Sequence, residues 1–302
     1  MGKILFILFL SVNFLERKTK QAMPELPEVE TIKNAIKQKI GMAEIKSVVV
    51  RNSSLRSPIP NDLPEMVVGA KICKYERIAK YIAIHLNNGL TILWHMGMSG
   101  KIKISEIEPQ VFEKHDHVVF YTDNGCVVYN DPRRFGLFTY CKTTELNNVS
   151  WLKNVGIDPF DKKLDAKYLF EKLQRRKKQP IKQVLLDQKI INGIGNIYAS
   201  EILYKSRISP LRPASEIGIE ECEKIVENTR IVLSDAIEKG GSTLRDYKQP
   251  DGNIGYFQNL HCVYNKMGQK CPDCTCNFAK TKGIKKIVMS GRSTFYCESL
   301  QK

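Results

Sequence analysis

The chain has 302 residues, enough for two domains that each bury a hydrophobic core, so a disordered chain or a mini-protein is excluded. Hydrophobic residues account for 42% of the sequence and charged residues for 26%, and the mean hydropathy of −0.29 excludes a protein with many membrane spans. The 47 Lys and Arg residues exceed the 32 Asp and Glu residues, giving a formal net charge of +15. Such an excess indicates a polyanionic partner, either a nucleic acid or an anionic membrane surface.

The first 22 residues have the pattern of a short secretory signal. Lys3 precedes the apolar run Ile4–Leu10, which is too short to span a bilayer, and no small-residue cleavage site follows it. We weigh export against a start codon assigned too far upstream, and we favour the second interpretation, with Met23 as the initiator. The nine cysteines, an odd number spread along the chain, favour a reducing compartment over a disulfide framework.

The segment after Met23 predicts a helix of about four turns. Pro27 suits the first turn, where a backbone N–H has no partner inside the helix, and Glu28 complements the positive end of the helix dipole. Four apolar residues recur at helical spacing: Val29, Ile32, Ile36 and Ile40.

The rest of the chain changes its hydrophobic period twice. From residue 44 to 142 the period is two, with turn sequences at Asn88-Gly89 and Asn124-Gly125, which predicts an antiparallel sandwich or barrel. After the basic stretch 175–180 the spacing becomes helical, with one helix from Ile197 to Lys205 and a longer one that ends before Gly240. From about residue 256 β character returns around a cluster of cysteines.

This cluster contains a C-x-x-C pair, Cys271 and Cys274, which is typical of half a tetrahedral zinc site. Cys297 supplies a third sulfur, but Leu300 stands where a fourth cysteine is expected. Either the finger holds together without metal, or the fourth ligand is one of three candidates: Cys276, Cys262 or His261. A redox C-x-x-C is the alternative, but it normally opens a helix in a βαβ unit, so we favour a metal site.

The sequence Gly193-Ile194-Gly195-Asn196 precedes the predicted helix at Ile197. Free N–H groups at a helix start favour a phosphate, with Asn196 as the N-cap. The segment lacks the third glycine of a dinucleotide fingerprint, so a plain capped helix is an equally good interpretation.

Removal of Met23 would leave the secondary amine of Pro24 beside Glu25 and Glu28. An α-amino group has an ordinary pKa of about 8, and the positive end of the following helix favours its neutral, nucleophilic form. A secondary amine that attacks the C1′ atom of a sugar forms an iminium ion. Without further context, however, carboxylates in this position are more often helix-capping residues.

Seven motifs, in order along the chain, resemble those of bacterial formamidopyrimidine-DNA glycosylase. They are Pro24–Thr31, Arg77–Tyr81, His95–Gly100, Lys114–His117, Asp131–Gly136, Gly195–Glu201 and Gly291–Cys297. The resemblance implies an enzyme that flips 8-oxoguanine or a ring-opened purine out of duplex DNA, excises it, and cleaves the abasic strand by β,δ-elimination.

The resemblance also implies an α+β fold with five regions. We expect a leader or misassigned start (1–22), a catalytic β-sandwich with flanking helices (23–150) and a basic linker (151–180). A helix-two-turn-helix DNA-binding domain (181–255) and a β-hairpin zinc finger (256–302) follow. Gly241–Tyr247 resembles the start of the loop that covers the extruded base.

Individual roles follow from the same resemblance. The catalytic set is Pro24 as Schiff-base nucleophile, Glu25 as general acid/base, Lys80 in β-elimination and Arg292 in phosphate contact and δ-elimination, with Glu28 as a supporting carboxylate. The implied DNA contacts are His115, Arg133, Lys177, Lys182 and Asn196, and the space left by the flipped base is filled by Met98, Arg133 and Phe135. The implied zinc ligands are Cys271, Cys274 and Cys297. In isolation, Met98 and Phe135 would be interpreted as core residues, Lys80 as solvated and His115 as structural.

Three other interpretations compete with this one. An endonuclease VIII type would remove oxidised pyrimidines, but Leu26 replaces the glycine usual there and Asp131–Gly136 is intact. A catalytically inactive DNA-binding relative follows if Met1 is the true start, because the Pro24 nitrogen would lie in an amide. A membrane-anchored basic protein has only the leader in its favour. We expect a cytoplasmic monomer that binds damaged duplex DNA and no membrane, with one zinc ion per chain in a site that lacks one family ligand.

Overall fold

The computed structural model describes residues 23–106, 111–242 and 257–302, so the predicted leader and most of the loop that begins at Gly241 lie outside the described residues. The described helices are α1 (Leu26–Ile40), α2 (Leu63–Val67), α3 (Ala166–Gln174), α4 (Ile181–Leu185), α5 (Asn196–Lys205), α6 (Ile219–Glu238) and α7 (Phe278–Thr281). The strands are β1 (Ile45–Val50), β2 (Ile72–Ile78), β3 (Tyr81–Leu86), β4 (Leu90–His95), β5 (Lys101–Ser105), β6 (Asp116–Thr122), β7 (Gly125–Asn130), β8 (Leu137–Lys142), β9 (Lys285–Met289) and β10 (Arg292–Tyr296).

Helix α1 confirms the helix predicted after Met23. Its apolar stripe, from Val29 to Ile40, is buried in the core of the N-terminal half. The helix ends at Gly41, whose φ of 64° is accessible to glycine at little cost. This burial fixes the position of Glu25 and Glu28, which lie at the start of the same helix.

The N-terminal half is a sandwich of two antiparallel four-stranded sheets, as predicted. One sheet has the order β1-β6-β7-β5 and the other the order β2-β3-β4-β8. Their facing sides share one hydrophobic core with α1, in which Trp94 packs edge-on against Tyr129 and Phe138. The Met98 loop lies between β4 and β5, and the Arg133 loop lies between β7 and β8. Both loops are on the same side of the sandwich.

The second half is helical and has its own core, formed mainly by α3, α5 and α6. Residues 166–174, inside the segment expected to be a linker, form α3, because Leu169 and Leu173 lie one turn apart and pack into this core. Leu26 from the start of α1 also packs there, which ties the two halves together. The proposed domain boundaries themselves stay predictions. Within the described residues, no helix is long and apolar enough to cross a membrane.

The C-terminal region contains less β structure than the sequence indicated. Strands begin only at Lys285, where β9 and β10 form a hairpin. Upstream, residues 261–284 form turns, with Asn265, Gly268 and Gly283 at positive φ, and the short helix α7. Val263, Ile284 and Phe295 pack against the cysteines in a small core of their own. The turns bring the cysteines together, and this leaves little room for regular strands.

Candidate active site

The carboxylate of Glu25 lies against the N-terminus of α5. Its Oε1 accepts a 3.0 Å hydrogen bond from the N–H of Ile197, and its Oε2 accepts one of 3.3 Å from the N–H of Tyr198. The N-cap is Gly195, and a Cβ atom there would lie 2.1 Å from the carboxyl carbon of Glu25. Glycine is therefore required for this approach, and the carboxylate occupies the anion site at the helix start.

This arrangement corrects two predictions for the Gly193–Asn196 segment. Asn196 is the first helical residue and not the N-cap, and the N–H groups proposed for a phosphate are bonded to Glu25. The error arose because the anion comes from a residue 172 positions away in the sequence. A sequence pattern at a helix start identifies an anion site but not its occupant.

Glu28 is fully buried beside Glu25. Its Oε1 accepts a 2.6 Å hydrogen bond from the Tyr198 hydroxyl and one of 2.8 Å from the N–H of Ser242, and its Oε2 accepts one of 2.9 Å from the N–H of Glu25. Burial, and then the charge of Glu25, raise the pKa of Glu28 to about 7, although the hydrogen bond from Tyr198 opposes the change. Burial also raises the pKa of Glu25, against the charge of Lys80 and the N–H groups of α5. Both carboxyl groups can therefore hold a proton closer to neutrality than an exposed glutamate can.

Lys80 lies in the turn between β2 and β3, after Ala79, whose φ of 54° is unusual for a residue with a Cβ. Its ammonium Nζ donates a 3.2 Å hydrogen bond to the carbonyl of Ile194, and the residue is only 8% exposed. The interpretation of Lys80 as a solvated strand residue is therefore wrong. Burial lowers the pKa of Lys80, although the charge of Glu25 opposes this change. A lysine in this state gives up its proton more readily than an exposed lysine does, which suits it to general acid/base chemistry.

Pro24 is buried immediately before Glu25. With Met23 attached, its nitrogen is a tertiary amide and has no basic lone pair; after removal of Met23 it is a secondary amine. The predicted catalytic side chains Glu25, Glu28 and Lys80 thus lie in one buried cluster around the start of α1 and the start of α5.

A basic cleft of about 350 Å³ opens between α4, α5 and the hairpin. The ammonium of Lys182 donates hydrogen bonds to Asn196 Oδ1 at 2.8 Å and to Thr294 Oγ1 at 2.9 Å. Burial lowers the pKa of Lys182 to about 7, and the charge of Glu25 opposes this change. Arg292 is exposed at the start of β10 and lines the same cleft. Lys177 lies apart, exposed in the turn after α3.

Two loops of the sandwich meet where the sequence predicted void-filling residues. The guanidinium carbon of Arg133 lies 4.8 Å from the ring centroid of Phe135, and Phe135 is 45% exposed, so its interpretation as a core residue is wrong. A Cβ at Gly97 would lie 2.5 Å from the backbone of Phe135, which brings the neighbouring Met98 loop into direct backbone contact. Met98 is partly buried. His115 is also partly buried, and its carbonyl accepts a 3.0 Å hydrogen bond from the N–H of Asp131.

Four cysteine sulfurs lie within 4.8 Å of one another: those of Cys271, Cys274, Cys276 and Cys297. Cys276 is thus the fourth cysteine of the cluster, the position for which the sequence offered three candidates. The other two candidates lie elsewhere, since His261 Nε2 contacts Ser242 Oγ at 2.9 Å and Cys262 Sγ faces the carbonyl of Leu260. The N–H of Cys276 donates to Cys274 Sγ at 3.3 Å. Four thiols at this spacing fit a tetrahedral metal ion such as Zn²⁺.

Several residues of these sites have no role that the sequence indicated: Tyr198, Ser242, Thr294, Ser99 and Asp131. Four of them, Tyr198, Ser99, Asp131 and Thr294, stand inside motifs that were recognised, so membership of a motif was the available signal. Nothing in the sequence connects Ser242 with Glu28, from which it is 214 residues distant.

Comparisons with known proteins agree with this architecture. Residues 23–138 match the model of the formamidopyrimidine-DNA glycosylase N-terminal domain, and residues 155–248 match that of the formamidopyrimidine-DNA glycosylase H2TH domain. Formamidopyrimidine-DNA glycosylase of Rhodospirillum rubrum is 42% identical over 93% of this chain and 100% of the relative. The enzyme of Wolbachia sp. subsp. Brugia malayi is 43% identical over 92% of this chain and 100% of the relative.

Solved structures give the same result. The MutM (Fpg) protein of Thermus thermophilus matches with a TM-score of 0.80 and 32% identity, over 92% of this chain and 98% of that one. Wild-type Lactococcus lactis Fpg (MutM) in complex with DNA containing N7-benzyl-Fapy-dG matches with a TM-score of 0.82 and 29% identity, over 92% and 100%. A MutM complex with DNA containing carbocyclic 8-oxo-G matches with a TM-score of 0.81 and 29% identity, over the same shares.

A β-sandwich joined to a helix-two-turn-helix domain and a cysteine-bearing hairpin, with buried carboxylates behind a proline, defines a DNA-repair glycosylase. The chain belongs to the formamidopyrimidine-DNA glycosylase family.

Proposed function

We propose that the protein removes oxidised purines from duplex DNA through a Schiff base on Pro24 and then cleaves the strand by β,δ-elimination. The observation that carries this proposal is the buried cluster of Glu25, Glu28 and Lys80 directly beside Pro24. Buried ionisable groups with displaced pKa values are costly for stability, and such groups concentrate at catalytic sites. The similar structures whose DNA contains Fapy-dG or 8-oxo-G derivatives support an oxidised purine as the substrate.

The proposed chemistry begins with attack of the Pro24 amine on C1′ of the flipped nucleotide. The C1′–N bond breaks, and the departing base takes a proton, while Glu25 acts as general acid/base at the sugar. The C1′–O4′ bond then breaks as Glu25 gives a proton to O4′, and the nitrogen lone pair forms an iminium ion at C1′. This iminium ion acidifies the hydrogen on C2′. Lys80, whose pKa burial lowers, can accept that proton as the 3′ phosphate leaves. A second elimination releases the 5′ phosphate, with Arg292 stabilising its negative charge.

DNA binding is proposed along the basic cleft and the two loops. Lys182, Asn196 and Arg292 line a cleft that suits a phosphate group, because two cations and an amide converge there. We assign Lys177, in the turn after α3, and His115, beside the Arg133 loop, to contacts with the DNA backbone outside this cleft. Met98, Arg133 and Phe135 would fill the space left by the flipped base, since an exposed aromatic ring stacked with a guanidinium can enter a base stack.

The four-cysteine cluster fits a structural zinc ion, with Cys271, Cys274, Cys276 and Cys297 as ligands. When bound, the ion would supply cross-links that hold the hairpin of β9 and β10 in place. Its chemistry is structural, because four thiolate ligands leave no open coordination position. The hairpin in turn carries Arg292 to the basic cleft.

Borohydride trapping tests this function. We expect a covalent complex between the form of the protein that begins at Pro24 and a duplex with 8-oxoguanine opposite cytosine. The full-length form, whose Pro24 nitrogen lies in an amide, should not trap. N-terminal sequencing of the native protein determines which form occurs. Undiminished trapping after Pro24→Gly combined with N-terminal blocking would contradict the role of the amine.

A duplex that carries thymine glycol tests the competing substrate class. Excision of the oxidised pyrimidine at a rate equal to or above that of 8-oxoguanine would favour an endonuclease VIII type. Specific binding of damaged duplex by every N-terminal form, with neither trapping nor incision, would indicate an inactive DNA-binding relative.

A further inference from the structure

We propose that Asp131 is a positioning residue that holds the two void-filling loops in one fixed geometry. The inference rests on the proposed function, because Met98, Arg133 and Phe135 have been given that role there. Asp131 itself is completely buried. Asp131 directly follows the last residue of β7, and its carboxylate contacts both loops from the interior of the protein.

One oxygen of the Asp131 carboxylate bonds the Met98 loop and the start of the Arg133 loop. Ser99, the residue after Met98, donates its hydroxyl to Oδ1 at 2.5 Å. The N–H of Arg133 donates to the same Oδ1 at 3.3 Å and to the Ser99 hydroxyl at 3.1 Å. Ser99 therefore bridges the two loops, with its orientation set by the carboxylate.

The other oxygen holds the far end of the Arg133 loop. The N–H of Gly136, the residue after Phe135, donates to Oδ2 at 2.9 Å, and the hydroxyl of Tyr129 donates to it at 3.1 Å. A Cβ at Gly136 would lie 1.7 Å from that hydroxyl, so only glycine allows the loop to return this close to β7. Residues adjacent to Met98 and to Phe135, and Arg133 itself, are thus bonded to a single side chain.

The backbone of Asp131 adds three further connections. Its N–H donates to the carbonyl of His115 at 3.0 Å, and its carbonyl accepts a 3.2 Å hydrogen bond from the N–H of Arg134 and lies 2.8 Å from Nε2 of His117. The backbone of Asp131 is therefore bonded to His115 and His117, while its side chain is bonded to the two loops. Loops that are held in this way lose little conformational entropy when DNA binds. The void-filling residues that they carry are therefore preorganised.

Only a carboxylate can satisfy this arrangement. Two oxygens accept four hydrogen bonds from two hydroxyls and two backbone N–H groups, which offsets the cost of burying the charge. An asparagine presents one oxygen and one NH₂ group. In either orientation its NH₂ group would face a backbone N–H of the Arg133 loop, that of Arg133 or that of Gly136, so the loop would lose one of its two anchors.

The test compares Asp131→Asn with wild type in the N-terminal form that traps. We expect base excision opposite cytosine in single-turnover assays to fall by about tenfold to a hundredfold, the usual effect of a misplaced positioning group. Strand cleavage at a preformed abasic site should fall by less than about threefold, since no base has to be displaced there. A 2-aminopurine base beside the orphaned cytosine should show a smaller fluorescence increase, because the stack is opened less.

Two further variants separate positioning from a general loss of stability. Tyr129→Phe removes one hydrogen bond to the same carboxylate and leaves in place the three hydrogen bonds that this carboxylate accepts from the loops. It should lower the melting temperature while leaving the 2-aminopurine signal intact. Ser99→Ala keeps the carboxylate but breaks the bridge, and it should reduce that signal. Wild-type signal and opposite-base preference in both Asp131→Asn and Ser99→Ala would overturn the inference, as would an equal loss of excision and abasic cleavage in Asp131→Asn.

The two proposals fail differently. If wild type opens the base stack but neither traps nor incises, the proposed chemistry is wrong and the role of Asp131 is still decided by the fluorescence signal. If wild type traps and incises while the Asp131 and Ser99 variants behave as wild type, only the positioning role is wrong.

Discussion

The N–H of Ile197 donates a 3.0 Å hydrogen bond to the carboxylate of Glu25, across 172 residues of sequence. This contact joins the first helix of the chain to the start of α5 in the helical half. It also places a negative charge at the positive end of a helix dipole, which favours ionisation, while burial opposes it. The group proposed to act on the sugar is therefore also part of the contact between the two halves, so its geometry depends on both.

Stability should depend on pH through Glu28. The pKa of this buried carboxyl is raised from 4.5 to about 7, so the folded protein retains a proton that the unfolded chain releases. Its contribution to the free energy of unfolding is fully present below pH 4.5 and is lost as the pH rises toward 7. One pKa unit corresponds to about 1.4 kcal/mol, so the loss is on the order of 3 kcal/mol.

Glu28→Gln should flatten this decline in melting temperature between pH 5 and pH 7, a window of about two units set by the raised pKa. Part of the slope should persist, because burial raises the pKa of Glu25 in the same direction. Glu227→Gln, on the exposed side of α6, serves as the matched control and should retain the wild-type slope. Parallel curves for Glu28→Gln and wild type would show that Glu28 does not titrate in this range.

Lys80→Met should impair the elimination step more than DNA binding. The substitution keeps an unbranched side chain one atom shorter and removes the amine that donates to Ile194 and lies in the field of Glu25. Loss of a general acid/base usually slows a reaction by about a hundredfold or more. Single-turnover cleavage of an abasic duplex measures this step. Lys74→Met, on the exposed part of β2, is the control for loss of one positive charge. Equal rates for the two variants would remove Lys80 from the mechanism.

Local patterns predicted the elements well, because each depends on neighbours in the sequence. The helical stripe from Val29 to Ile40 and the alternation between 44 and 142 are examples, and both were confirmed. The sequence could not predict that Glu25 bonds the N-terminus of α5, and it left Cys276 as one of three candidates to join Cys297, since these contacts depend on how distant segments pack. The motifs located the residues of the site, but only the fold identified their partners.

Arg133 should determine the preference for the base opposite the lesion. Its guanidinium stacks on Phe135 at the exposed tip of the loop, where it can hydrogen bond to an orphaned cytosine. Arg133→Ala should lower the preference for cytosine over adenine by about tenfold, because a lost polar contact costs about 1–3 kcal/mol of discrimination. The measurement is single-turnover excision of 8-oxoguanine opposite each base.

The neighbouring Arg134 provides a control of equal charge. It is exposed and has a φ of 58°, which asparagine tolerates, so Arg134→Asn should keep the loop conformation. We expect this variant to bind DNA more weakly than wild type, with the difference greatest at low salt, but to retain the preference for cytosine. A similar loss of preference in both variants would mean that the charge of the loop, and not the position of Arg133, sets the specificity.

The metal content of the hairpin should depend on Cys276 and not on Cys262. Cys276 Sγ lies within 4.8 Å of the other three sulfurs, whereas Cys262 Sγ faces a carbonyl outside the cluster. Elemental analysis should find about one zinc per wild-type chain. Cys276→Ser should lose most of this zinc, or release it to a weak chelator, because three thiolates leave the coordination shell open. Cys262→Ser should retain its zinc.

DNA affinity should fall together with the zinc content, since the hairpin carries Arg292 to the basic cleft. Full zinc in Cys276→Ser would exclude Cys276 as a ligand, and full incision activity in metal-free protein would show that packing alone holds the hairpin.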